Sequence, residues 1–240
     1  MFITVTGGSG SGKSAFAETC ALRLAHADAG GASLSQVFSS EGAETYDAAD
    51  TEEEENSGQC SLIYLAAMNP AGREGRMRVK RHRAMRRGKG FRTIERQRQL
   101  TAIPEKEILG RTVLVEDLSN LISNELFTGE NPAGGACGQG TEAGDAFLSP
   151  KAGRACTEIR EGILYLASRA DHLILVMNEI FSDGICYDPQ TDQFLRAAGM
   201  LNREFVSRAD LSFEIVFGIP LILKGDREAA KMLLQPPADR

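Results

Sequence analysis

Residues 7–14 read Gly7-Gly8-Ser9-Gly10-Ser11-Gly12-Lys13-Ser14, between the apolar run Phe2–Thr6 and a helical pattern that begins at Ser14. The spacing is that of G-x-x-x-x-G-K-[ST]. Glycines let a backbone take positive φ angles and approach a ligand without Cβ clashes. Successive amide N–H groups then turn inward onto phosphate oxygens, and the following helix adds the positive end of its dipole. Lys13 brings a mobile cation to the outer phosphates. Ser14 brings a hydroxyl of the kind that ligates Mg²⁺, a hard ion that takes oxygen donors. Gly7 through Ser14 are therefore expected to bind a nucleoside triphosphate, GTP or ATP. The motif leaves open what chemistry follows.

A second candidate element is Val113-Leu114-Val115-Glu116-Asp117, an apolar strand that ends in two carboxylates. In a parallel sheet such an ending lies at the carboxyl edge, where ligands bind. Glu116 is the favoured Mg²⁺ ligand beside Ser14. Asp117 has the alternative of capping the next helix.

His82 stands in a strongly basic stretch. Twelve of the 27 lysines and arginines lie between Arg73 and Arg98, against only Glu74 and Glu95. Neighbouring cations disfavour imidazolium and attract phosphate. A neutral imidazole can attack phosphorus to give a phosphoramidate. The same composition also fits a solvated histidine on a basic helix, or contact with nucleic acid. Nucleic-acid binding is not expected: Phe91 is the only aromatic in the strip, and no nucleic-acid motif accompanies it.

These groups need a scaffold. Apolar runs bounded by turn signals predict five strands, at Phe2–Thr6, Ser61–Ala67, Thr112–Glu116, His172–Met177 and Ser212–Phe217. Helical patterns fall at Ser14–Ala25, Glu74–Arg87, Leu118–Phe127, Gly153–Arg169 and Thr191–Ala209. Strands alternating with helices imply βαβ units. The expected class is α/β, a P-loop NTPase-like, mostly parallel sheet flanked by helices. Residues 26–59, with Gly-Gly, many serines and the acidic run Glu52–Glu55, and residues 128–152, rich in Gly, Ala and Pro, read as flexible insertions in one domain spanning 1–240.

The 240-residue length suits one large α/β domain. No apolar stretch approaches the roughly 18–20 residues of a membrane span. The chain enters a strand directly, so no secretory leader is expected. Five scattered cysteines without CxxC spacing argue against a zinc site or a disulfide framework, and a cytoplasmic location is expected.

The ordered series of motifs resembles the bifunctional adenosylcobinamide kinase / adenosylcobinamide-phosphate guanylyltransferase family of cobalamin biosynthesis. The resemblance runs through TVTGGSGSGKS, SLIYLAA, MRVKRHR, FRTIE, VLVEDLSNLISNELF, LILVMNEI and AAGMLNREFVSRADLSFEIVFGIPLILK. It covers most of the chain apart from the two insertions. Departures include Arg81, where the family usually has a second histidine, and Met177, where it has Thr or Ser before Asn-Glu. The resemblance implies two reactions: phosphorylation of the aminopropanol hydroxyl of adenosylcobinamide, and transfer of GMP from GTP through a guanylyl-histidine. It implies that His82 is that histidine, that Lys13 and Glu116 serve catalysis, and that Arg92, Thr93 and Glu95 belong to the nucleotide site. It also implies a homo-oligomer, a trimer. A P-loop kinase of another alcohol and a non-catalytic nucleotide-binding module remain the alternatives.

Overall fold

The computed structural model describes residues 1–28, 61–68, 77, 80, 88–127, 147–181 and 183–234. The strands are β1 (Phe2–Gly7), β2 (Leu62–Ala66), β3 (Phe91–Glu95), β4 (Thr112–Glu116), β5 (His172–Val176), β6 (Leu211–Val216) and β7 (Ile219–Lys224). The helices are α1 (Lys13–Asp28), α2 (Leu118–Phe127), α3 (Pro150–Arg169), α4 (Pro189–Arg208) and α5 (Arg227–Leu234). The strands form one sheet in the order β3-β2-β4-β5-β1-β6-β7. All pairs are parallel except β6 with β7. The expected α/β class, with a mostly parallel sheet flanked by helices, is what the chain adopts.

Alternating side chains on each strand point to opposite faces, so a strand buried on both sides reads as a continuous apolar run. Ile63, Leu65, Val113, Val115, Leu173 and Leu175 pack on one face with apolar residues of α2, α3 and α4. Ile3, Val5, Leu62, Tyr64, Leu114, Ile174, Val176 and Phe213 pack on the other with Ala17, Cys20, Ala21 and Leu24 of α1 and with Ala230 and Leu233 of α5. Among the described residues, the helix with the glycine-rich loop at its start shares this face with α5.

The five expected strands are present with ends shifted by a residue or so. Two more, β3 and β7, were not expected. Both are edge strands, and each carries residues that are largely exposed. They therefore lack the apolar run of a central strand. Helix α5 follows β7 and is equally absent from the expected elements. Helix α1 continues to Asp28, so it takes in His26, Ala27 and Asp28 of the expected first insertion; the rest of that insertion lies outside the described residues. Helix α3 starts at Pro150, because Ser149 accepts the Ala152 amide as an N-cap and proline suits the first helical position. Similarly, Asp188 accepts the amides of Gln190 and Thr191, so α4 begins at Pro189 rather than Thr191. Of the helix expected at Glu74–Arg87, Met77 and Lys80 are described and helical; the rest lies outside the described residues. Among the described residues no helix is long and apolar enough to cross a membrane.

Helix α3 packs closely on a single 3-10 turn, Leu100–Ala102. A Cβ on Gly162 would lie 2.8 Å from Leu100 Cβ, so the two backbones are as near as side chains allow. Gly→Ala inside a helix ordinarily stabilises by up to about 1 kcal/mol. Gly162→Ala should instead destabilise by about 1–2 kcal/mol, because overpacking outweighs propensity; urea unfolding checks the sign.

Candidate functional site

The loop after β1 is held by its surroundings on three sides. Gly7 passes so near its neighbours that a Cβ there would stand 2.6 Å from Ser11 Oγ and 2.7 Å from the Ile215 carbonyl oxygen. Gly12 has φ +93° and packs against the Gly218 turn, so a side chain there would be strained. The Gly218 amide, in the β6–β7 turn, donates to the Ser11 carbonyl at 2.9 Å. The Glu179 amide, just beyond β5, donates to the Gly7 carbonyl at 3.0 Å. Gly8, Ser9 and Gly10 make the outer bend. The loop lies outside the carboxyl ends of β1, β5 and β6, where open parallel sheets bind ligands.

Lys13 and Ser14 open α1. The Lys13 ammonium folds back and donates to the Gly8 carbonyl at 3.1 Å, and the residue is buried. Burial pulls its pKa below the usual lysine range, while the Asp117 and Glu116 carboxylates pull it back up. The Ser14 hydroxyl donates to Glu116 Oε1 at 2.5 Å. The other carboxylate oxygen, Oε2, accepts from the Tyr64 hydroxyl at 2.8 Å. Glu116 is buried. The structure therefore brings Gly7–Ser14 together with Glu116, residues far apart in sequence.

Asp117 does cap the next helix: its Oδ1 accepts the Asn120 amide at 2.8 Å. It also faces Lys13. Burial raises its carboxyl pKa, and the nearby Glu116 charge adds to that, while bonds from Asn120 and Asn178 and the Lys13 charge oppose it. Asn178 and Tyr64 were not among the expected site residues. Asn178 lies beyond the end of β5, its amide also donates to Ser119 Oγ at 2.9 Å, and its carbonyl accepts from the Asn202 amide at 3.2 Å. An asparagine closing the apolar run Leu173–Met177 was the available signal. Tyr64 gave none, since a tyrosine in an apolar strand reads as core.

Arg92, Thr93 and Glu95 lie on edge strand β3. Register pairs Ala66 with both Glu95 and Glu116, so the two glutamates stand level at the same end of the sheet with β2 between them. Arg92 is directed elsewhere, donating to Glu107 Oε2 at 2.9 Å. His82 lies outside the described residues.

The donor set suits a magnesium ion. Ser14 and Glu116 supply hard oxygens, and among the described residues no cluster of three or more His, Cys, Asp or Glu forms a protein cage. Mg²⁺ is typically held by one or two protein oxygens together with substrate phosphates.

A family model described as cobinamide kinase / cobinamide phosphate guanyltransferase matches residues 46–223. The matched residues contain β2 through β6, β7 up to Leu223, Glu116, Asp117 and Asn178; the glycine-rich loop precedes them. No curated protein matches.

The raised Asp117 pKa has a consequence for stability. A carboxyl whose folded pKa exceeds its unfolded value disfavours folding increasingly as pH rises from the unfolded value through the folded one. Asparagine keeps the cap and carries no charge. Asp117→Asn should therefore be more stable than the parent at neutral pH, with the gain vanishing near and below pH 3.8, the ordinary aspartate value. Denaturant midpoints across that range provide the test.

Proposed function

The chain belongs to the cobinamide kinase / cobinamide phosphate guanyltransferase family, and from that membership we propose that it catalyses two successive transfers on a cobinamide. In the first, a nucleoside triphosphate gives its γ-phosphoryl group to the aminopropanol hydroxyl. In the second, GTP gives GMP to His82 with release of pyrophosphate, and the cobinamide phosphate then takes the GMP. The observation that carries the reading is the bond between Ser14 and Glu116, which joins a phosphate-binding loop to an acidic strand end.

In this reading Gly8 to Gly12 present backbone amides to the phosphates, and the positive end of α1 adds to their pull. Lys13 exchanges its bond with the Gly8 carbonyl for the outer phosphate oxygens. Its burial strengthens that contact, because charge pairs interact more strongly away from water. Ser14 and Glu116 are the residues that would hold Mg²⁺. Bound there, the ion neutralises phosphate charge and orients the triphosphate. Tyr64 and Asn178 hold the two carboxylates in position from the sides.

The guanylyl transfer uses the His82 imidazole as nucleophile. Its ring-nitrogen lone pair attacks the α-phosphorus, the bond to the bridging oxygen of the β-phosphate breaks, and pyrophosphate leaves. A phosphate oxygen of the cobinamide phosphate next attacks that phosphorus, and the imidazole leaves with its electron pair restored. The dense basic surroundings in the sequence support a neutral, nucleophilic imidazole. Glu95, on β3, stands level with Glu116, and Arg92 and Thr93 complete the expected nucleotide-binding group. A homo-oligomer, a trimer, belongs to the same proposal: edge strand β7 exposes Ile219 and Leu223, surface of the kind that subunit contacts cover. A cytoplasmic location goes with it.

Two variants separate the steps. Lys13→Ala should cut triphosphate turnover by about 100-fold or more, measured with cobinamide as acceptor. His82→Asn should abolish acid-labile, base-stable labelling of the protein by α-labelled GTP, yet leave cobinamide phosphorylation in place. Labelling that survives in His82→Asn eliminates His82 as the carrier, and unchanged turnover in Lys13→Ala rejects the loop as the phosphate site.

A further inference from the structure

The tight turn between β6 and β7 holds a residue that its geometry does not favour. Register pairs Val216 with Ile219, so Phe217 and Gly218 alone make the turn. Both have positive φ, +50° and +81°. A hairpin turn of this kind favours Asn-Gly or Asp-Gly, and a bulky aromatic in the left-handed region is an outlier. The ring gains no burial in return. Phe217 is 95% exposed, more than any other large hydrophobic side chain among the described residues. Strained backbone positions gather at ligand sites.

The turn is built onto the glycine-rich loop. The Gly218 amide donates to the Ser11 carbonyl at 2.9 Å, and a Cβ on Gly12 would meet Gly218 Cα at 3.6 Å. Phe217 is thus fixed beside the start of α1. Ala15, the residue after Ser14, is exposed at that start. Phe16 is half-buried, its ring edge-to-face with that of Phe213 on β6, centroids 5.1 Å apart. This flank of the loop therefore has a firm apolar floor.

The two flanks differ in chemistry. The bond from Ser14 to Glu116 marks the β4 flank as the metal side, and the metal in such sites bridges β- and γ-phosphate oxygens. The outer end of a bound triphosphate thus lies towards β4. Strand β6 borders β1 on the opposite side. The inner end of the phosphate chain, which carries the nucleoside, leaves the loop towards the β6–β7 turn. A flat apolar ring standing in solvent at that exit offers a π-face to the base, and stacking on it needs no hydrogen-bond partner.

We propose that Phe217 is the base-stacking residue of the triphosphate site, and that the strained turn serves to hold its ring against the nucleobase. The assignment rests on the reading of Gly7–Ser14 as a triphosphate loop. It adds a contact that the loop itself does not make, since residues 7–14 meet phosphate and leave the base free.

The test uses the full chain with Mg²⁺ and two probes: GTP, and inorganic tripolyphosphate, which has the phosphates without the base. Titration calorimetry gives both affinities. Phe217→Asn suits the turn and removes the ring, so it should fold with a melting temperature at or above that of the parent. It should bind GTP about tenfold more weakly, with tripolyphosphate affinity within about twofold of the parent. Phe217→Trp keeps a π-face and should restore parental GTP binding. Parental GTP affinity in Phe217→Asn overturns the proposal; if that variant has also lost self-association, the ring belongs to a subunit contact. Equal losses of GTP and tripolyphosphate overturn it as well, and make Phe217 a support of the loop. A parent chain that binds tripolyphosphate as tightly as GTP has no base contact, which overturns it too. A parent chain that binds neither probe rejects the triphosphate loop itself, and the stacking falls with it.

Discussion

One hydrogen bond organises this molecule: Ser14 Oγ to Glu116 Oε1, 2.5 Å long, between residues 102 positions apart. Strand β5 lies between β1 and β4, so the strands that deliver the two partners are about 10 Å apart. The bond can form only if α1 leaves β1 over the sheet face that Glu116 also faces. That single requirement fixes the side on which α1 packs, the register of β4, and the tight path of the loop from Gly7 to Gly12. Tyr64, on the strand beyond β4, closes the arrangement by holding the second oxygen of Glu116.

The constraint is costly elsewhere. Lys13 is buried with its ammonium on a main-chain carbonyl, and Asp117 is held with a carboxyl that burial pushes up. Neither arrangement is the one that stability alone would favour. Each group offsets part of the other's desolvation, because their charges are opposite and near. The result is a cation and two carboxylates kept close without saturating one another, a state that multiply charged phosphates and a divalent ion can complete. Perturbed pKa values of this kind cluster where chemistry occurs.

The parts of the fold that were legible in the sequence were those in which local pattern and tertiary role agree. Phe2–Gly7 and Thr112–Glu116 are central strands buried on both faces, so they read as short apolar and β-branched runs. The loop was legible because its glycine spacing serves the backbone rather than the core. Phe91–Glu95 was not, since an edge strand with Arg92, Thr93 and Glu95 exposed has too few apolar positions to stand out. Ile219–Lys224 contains Pro220 and exposed apolar residues, the marks of an edge rather than a core strand. Within the site, Glu116 and the choice of helix cap for Asp117 could be read from the strand's polar ending. The supporting bonds from Tyr64 and Asn178 are long-range; the polar end of the β5 run marks Asn178 as a candidate, and nothing in the sequence marks Tyr64.

If the loop and the acidic strand end form one triphosphate site, Ser14 and Glu116 must act on the ligand as a pair. A double-mutant cycle on Mg²⁺–triphosphate affinity, with Ser14→Ala, Glu116→Gln and both together, measures this directly. Contacting residues that share a ligand are coupled by about 0.5–3 kcal/mol. The account predicts that each single change weakens binding and that the double change costs less than the sum by an amount in that range. Strict additivity, or a Glu116→Gln variant that binds Mg²⁺–triphosphate as tightly as the parent, would contradict it.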